Sequence, residues 1–142
     1  MLAQLAVGAG ASICSITVHS FMMAVVLRVA RSHSRIRRYS SASISWIMSA
    51  VVCVLMTAHT LEVMIWALMY KIVGVAPAGS DLLYFAFVNY TTLGYGDIMP
   101  VERWRLLGPA AAMNGILLFG WSTAVIFEVL RRTLIRMDGI TH

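Results

Sequence analysis

Charge is scarce in this sequence: Asp, Glu, Lys and Arg make up 12% of 142 residues, roughly half the share of an ordinary soluble domain. Acidic residues are scarcer still, six against eleven Lys and Arg, which leaves a formal net charge of +5. Only two cysteines occur, Cys14 and Cys53; they exclude a disulfide framework and make no metal centre by themselves. Both fall in long apolar stretches and are expected to be small core residues. No Lys or Arg precedes Arg28, so the first apolar stretch lacks the basic start of a cleaved signal peptide and is read as a retained helix. Internal repeats, low-complexity tracts and nucleotide or haem motifs are also missing, and nothing suggests nucleic-acid binding or catalysis.

What is present is apolar: 60% hydrophobic residues and a mean hydropathy of +0.81. A helix needs about 20 apolar residues to cross a hydrocarbon core of about 30 Å. Three segments qualify, 3–27, 44–70 and 106–130. Arg28, Arg31, Arg35, Arg37 and Arg38 fill the loop after the first, and Arg131, Arg132 and Arg136 follow the third. Those are eight of the eleven basic residues; Lys71, Arg103 and Arg105 are the others. The positive-inside rule then puts the first loop and the C-terminus in the cytoplasm, with the N-terminus and residues 71–105 outside.

The Arg28–Arg38 stretch has basic residues at helical spacing with Ser and His between them. That composition suits a helix lying on anionic lipid headgroups better than a voltage sensor. In the second span, Trp46 near one end and Trp66 and Tyr70 near the other have the pattern of an interfacial aromatic belt. Beyond it, the turn-rich GVAPAGS leads to DLLYFAFVNYT, residues 81–91. Ser80 is placed to cap this helix, with Asp81 in its first turn. About three turns cannot cross a bilayer, so the segment is expected to be re-entrant, sheltered by protein.

The residues that follow, Thr92-Leu93-Gly94-Tyr95-Gly96-Asp97, stand between this short helix and the last span. Two glycines and an aspartate do not belong in a membrane helix. In this order the segments resemble the pore domain of the tetrameric potassium-channel family, of the bacterial ion-channel type, over 44–132. Thr92 to Gly96 match its selectivity filter, Asp97 the aspartate after it, and Pro100 and Trp104 residues often found beyond. The resemblance implies an all-α membrane protein with an extra N-terminal helix (1–43), an outer helix (44–70), a pore helix (81–91), a filter (92–97), an inner helix (106–130) and a short tail (133–142), assembled as a homotetramer.

It further implies that carbonyls of Thr92, Leu93, Gly94 and Tyr95, with the Thr92 hydroxyl, replace the water around K⁺. Leu93 and Tyr95 side chains would pack behind the filter, supported by Thr91, Tyr84, Asn89 and Asp97. Two departures matter. Leu93 stands where Val or Ile is commoner, and without β-branching it restrains the backbone less. Val88 stands where some relatives carry a carboxylate, so Asp97 needs another partner, Tyr84 or Asn89.

In the third span a helical stripe runs Met113, Leu117, Gly120, Ala124, Glu128, the expected cavity lining and gate. Gly115 is within one position of the bending glycine of relatives; it is either a hinge or one of the small residues (Gly108, Ala112, Gly120) that let helices close up. Glu128 either rings the inner mouth or pairs with Arg131 and Arg132. Asn114 faces the cavity or bonds a neighbouring helix. His59 and Glu62 lie one turn apart inside the second span. An intramembrane carboxylate is a functional candidate, here a proton or metal sensor with His19 as a third group, but a hydrogen-bonded pair fixing helix packing is the weightier reading.

The sequence therefore reads as a passive K⁺-selective channel with no cofactor beyond the permeant ion, in a cell membrane of the bacterial inner type. A weakly selective monovalent cation channel, a non-conducting sensor subunit and, more remotely, a proton-coupled transporter are the alternatives.

Overall fold

A computed structural model describes residues 1–32 and 41–137. The order is α1 (Leu2–Ser32), α2 (Ser41–Val73), α3 (Leu82–Tyr90), a 3₁₀ turn (Glu102–Trp104) and α4 (Leu107–Met137). All regular structure among the described residues is helical, and α1, α2 and α4 are long and apolar enough to cross a membrane. The chain is an all-α, multi-pass membrane protein.

Each long helix outruns its apolar core. At 1.5 Å per residue, 31 to 33 residues reach nearly 50 Å, against a hydrocarbon layer of about 30 Å. Hydropathy marks where lipid begins, whereas a helix bonds its own backbone and continues into the polar region. The opposite holds at α3, whose 9 residues span only about 14 Å. Its N-cap is Asp81, not Ser80: the Asp81 backbone is extended (φ −74°, ψ 96°) and its carboxylate accepts the Tyr84 N–H at 3.0 Å. The helix consequently starts at Leu82 and ends at Tyr90, one residue inside the expected bounds at each end.

α1 packs against both α2 and α4, and α3 sits in the angle between α2 and α4. Lipid tails are as apolar as leucine, so close packing and interhelical hydrogen bonds must hold such a bundle. One buried face of α1 carries Gly8, Ala11, Ser15, His19, Met23 and Val26. Gly8 is small enough to bring α1 against Ala110 and Leu107 at the head of α4. Nearby, Gln4 Oε1 accepts the Leu106 N–H at 2.9 Å, one of the orphan donors where α4 begins.

Two apolar layers result. Ala11, Trp66, Tyr70, Phe85, Tyr90 and Leu107 belong to the layer around α3. Met23, Val26, Leu55, Val125 and Val129 form the one towards the far end. Trp66 and Tyr70 are fully buried here, so they are not an interfacial belt. Each spends its polar atom on α4: Trp66 Nε1–H donates to Asn114 Oδ1 at 3.1 Å, and the Tyr70 hydroxyl to the Leu107 carbonyl at 3.2 Å. Trp46 alone of the three is exposed. The cysteines also depart from expectation: Cys14 and Cys53 are exposed on outward helix faces rather than in the core. An apolar stretch does not reveal which face lipid takes.

Candidate functional site

The segment after α3 takes its shape from how α3 ends. The last four carbonyls of a helix lack internal partners. Thr91 N–H returns to Phe87 O at 3.0 Å, Thr92 N–H to Asn89 O at 3.0 Å and Leu93 N–H to Val88 O at 2.9 Å. The last two bonds are those of a Schellman ending, which needs a left-handed residue just past the helix. That residue is Thr92, at φ 61° and the one non-glycine of positive φ among the described residues. Left-handed backbone costs a β-carbon residue about 1–2 kcal/mol, and such strain concentrates at functional positions.

The left-handed turn then repeats at every second residue, with Gly94 at φ 59° and Gly96 at φ 76°. Glycine takes such angles without penalty. The period of two bears on which way successive peptide groups face: alternating handedness aims consecutive carbonyls to one side of the strand. Thr92 to Gly96 are exposed in the single chain. The large side chains among them, Leu93 (54% exposed) and Tyr95 (68%), are more than half exposed in the single chain. A recess of about 260 Å³ opens beside them, lined by Val88, Asn89, Thr92, Gly94, Gly108, Pro109 and Ala112.

The Asp97 carboxylate lies near the Tyr84 hydroxyl and pushes the Tyr84 phenol above the ordinary tyrosine range. Asn89 is occupied elsewhere: its Nδ2 donates to Phe85 O at 2.9 Å, and its side chain lies against Gly108. The Thr91 hydroxyl folds back onto Phe87 O at 2.7 Å.

On α4, Met113, Leu117, Gly120 and Ala124 share an exposed face, while Asn114, Gly115, Leu118, Ser122 and Val125 face the subunit's interior. Gly115 meets the end of α3: a β-carbon there would collide with the Tyr90 carbonyl oxygen and stand 3.1 Å from the Tyr90 carbonyl carbon. Glu128 accepts from Arg131 Nε at 2.9 Å and from Arg132 Nε along its own helix. Arg28 is exposed, and Arg31 lies in α1. Arg35, Arg37 and Arg38, the rest of the expected lipid-binding group, fall outside the described residues.

Between the two apolar layers lies a polar one, assembled from all four helices. His19 Nδ1 is 2.7 Å from Glu62 Oε1, and His59 Nδ1 is 2.9 Å from Glu62 Oε2. The Tyr90 hydroxyl donates to the same Oε2. Ser122 Oγ stands between the remaining imidazole nitrogens, 2.9 Å from His59 Nε2 and 3.5 Å from His19 Nε2. His19 and Glu62 are fully buried and His59 nearly so. Trp121 lies against the His19 ring and Phe119 against the His59 ring. Ligand atoms of His19, His59 and Glu62 lie within 4.8 Å of one another, but hydrogen bonds already close the gaps between them. Sequence reasoning reached His59, Glu62 and His19; it missed Tyr90 and Ser122, which have no local signal and are identified only by the helix crossing.

A short helix that stops partway between two long ones, followed by an extended segment whose φ alternates in sign, is the layout of an ion-channel pore domain. Residues 58–132 match the family described as ion channel, and the chain belongs to that family. No curated protein and no solved structure matches the chain.

Proposed function

We propose that this ion-channel subunit conducts K⁺ selectively through a pore built from four copies of the chain. The observation that carries the reading is the positive φ at Thr92, Gly94 and Gly96, directly after the C-terminus of α3. A strand of this kind directs carbonyls of Thr92, Leu93, Gly94 and Tyr95 towards an axis, where four strands replace the hydration shell of the ion. This is the established account of potassium-channel filters, applied to these residues. The negative end of the α3 dipole favours a cation at the same place. Leu93 and Tyr95, more than half exposed in one chain, gain their cover from neighbouring subunits, and the exposed Met113–Ala124 face of α4 lines the cavity. The N-terminus and the filter mouth face outward, with the Arg28–Arg38 region against anionic lipid on the cytoplasmic side.

Purified protein in liposomes tests this. K⁺ uptake that survives Na⁺ competition, from a particle of four chains, supports the reading; a one- or two-chain particle without uptake refutes it. Leu93 favours one second reading, a pore of weak selectivity. Reversal potentials with K⁺ and Na⁺ on opposite sides separate the two.

A further inference from the structure

We propose that His19, His59, Glu62 and Ser122 form an intramembrane proton-binding site that holds one shared proton and controls the filter through Tyr90. Glu62 receives three groups on its two oxygens, both Nδ1 atoms and the Tyr90 hydroxyl; the hydroxyl oxygen also lies 3.1 Å from His59 Nδ1, so that N–H is shared between Glu62 Oε2 and Tyr90. A carboxylate suits three donors, so both imidazoles present Nδ1–H to it. Their Nε2 atoms then face Ser122 Oγ. The hydroxyl has one hydrogen and can donate to one Nε2 only. If neither Nε2 carries a proton, one buried nitrogen is left unpartnered beside an uncompensated carboxylate. If one carries a proton, it donates to Ser122, Ser122 donates to the other, and every bond closes.

Charge gives the same answer. Glu62 with one imidazolium sums to zero, the state cheapest to keep in a membrane. Both imidazoles neutral leaves −1, and both charged leaves +1. The groups facing the site are His19 from α1, His59 and Glu62 from α2, Tyr90 from α3 and the uncharged Ser122 from α4. No other titratable group on these elements is bonded to the site among the described residues. Ser122 bridges the two rings, so the proton passes from one Nε2 to the other as the hydroxyl hydrogen moves on; no charge enters or leaves in that exchange.

The site has a route to the pore. Tyr90 is the last residue of α3, and the strained Thr92 follows two residues later. Its hydroxyl is held by Glu62, and its carbonyl meets Gly115. Loss of the shared proton breaks the Ser122 bridge between α1, α2 and α4, which leaves Glu62 free to shift and loosens its hold on Tyr90. The proton-loaded state is the conducting one. α1 is thus a working part of the channel, since it supplies one of the two imidazoles.

The regulatory half rests on the channel reading above, and the experiment keeps the two apart. The full chain carrying His33→Gln and His142→Gln, labelled with ¹⁵N-histidine, is reconstituted in liposomes. Nitrogen NMR and K⁺ flux are followed between about pH 5 and pH 9. His19 and His59 are expected to change together in a one-proton step, with flux lost along the same curve as pH rises. Tyr90→Phe keeps the NMR step and removes the pH dependence of flux. Glu62→Gln or His19→Asn abolishes the shared step; should either fail to fold, the unaltered pair and Tyr90→Phe still decide. Histidines that do not titrate, independent one-proton steps, pH-independent flux or zinc retained at one ion per chain would each overturn the proposal. Titration of the pair without flux at any pH upholds the proton site and counts against the channel reading.

Discussion

The sharpest mechanical test compares two glycines of α4 that the sequence makes look alike. A β-carbon at Gly115 runs into the Tyr90 carbonyl oxygen, with the carbonyl carbon at 3.1 Å and Tyr90 Cδ1 at 3.3 Å. Comfortable carbon contacts begin near 3.5 Å, and the atoms in the way are backbone at a helix end, with no rotamer to yield. α3 and α4 must separate by on the order of 1 Å, and overpacking of this kind costs about 1–3 kcal/mol. Helix propensity returns about 1 kcal/mol for Gly→Ala, so Gly115→Ala comes out destabilised by up to about 2 kcal/mol. At Gly120 nothing lies within 4 Å of the added carbon, and Gly120→Ala retains the propensity gain alone.

The assay is thermal unfolding of both variants in the same detergent, with K⁺ flux at fixed protein amount. Gly115→Ala is expected to melt lower and, on the proposed reading, to lose flux because the displaced Tyr90 carries the Thr92–Gly96 segment with it; Gly120→Ala is expected to melt at or above the parent. Were Gly115→Ala to hold its stability while losing only the ability to open and close, close packing would be the wrong account and a hinge the right one. A Gly120→Ala loss as large as that of Gly115→Ala would refute the contact argument altogether.

Trp66→Phe deletes the donor to Asn114 and leaves a buried amide oxygen unpaired; a loss of about 1–3 kcal/mol is expected by detergent unfolding, and Asn114→Leu on top should recover part of it. Gly94→Ala places a β-carbon at φ 59°, a strain of about 1–2 kcal/mol, and is expected to abolish K⁺ uptake and to lower the melting temperature to a degree comparable with Gly115→Ala. Because Asp97 raises the Tyr84 pKa, the phenol stays protonated through the ordinary tyrosine range and ionises only as pH climbs through the raised value. The phenolate absorbance missing from Tyr84→Phe should therefore appear above about pH 10, and Asp97→Asn should bring it down to the ordinary range. Leu93→Val stiffens the backbone of the proposed filter and is expected to raise K⁺ over Na⁺ discrimination in reversal-potential measurements.

The three long helices were legible because lipid imposes an apolar length on each, and the break at Thr92–Asp97 because glycine and aspartate have no other use there. What escaped reading has a common cause: which face of a helix meets which neighbour is not written in any one helix. Trp66 and Tyr70 had the right residue type and depth for an interfacial belt, yet face α4. Cys14 and Cys53 are small and apolar enough for a core, yet point outward. Asp81 displaced Ser80 as the cap because the chain becomes helical one residue later than its composition suggested. Thr92 is the subtler case. The glycines at 94 and 96 announce positive φ, but nothing in a threonine does; the Schellman ending of α3 imposes it.

That ending also gives a distant layer of the bundle a route to the proposed filter. Thr92 is held left-handed by its own bond to Asn89 and by the Leu93 bond to Val88, both anchored on the last turn of α3. The same turn is fixed from outside at two points on Tyr90, the hydroxyl at Glu62 and the carbonyl against Gly115. A strained residue persists only while its surroundings over-determine it, and here those surroundings are few and identifiable. A change at Glu62 or Gly115 thus acts on Thr92 by releasing a constraint, with no need to move any filter residue directly. It follows that substitutions at these two positions should alter conduction together with the Thr92 conformation, whereas substitutions in the far apolar layer, such as Leu55 or Val129, should lower stability and leave selectivity unchanged.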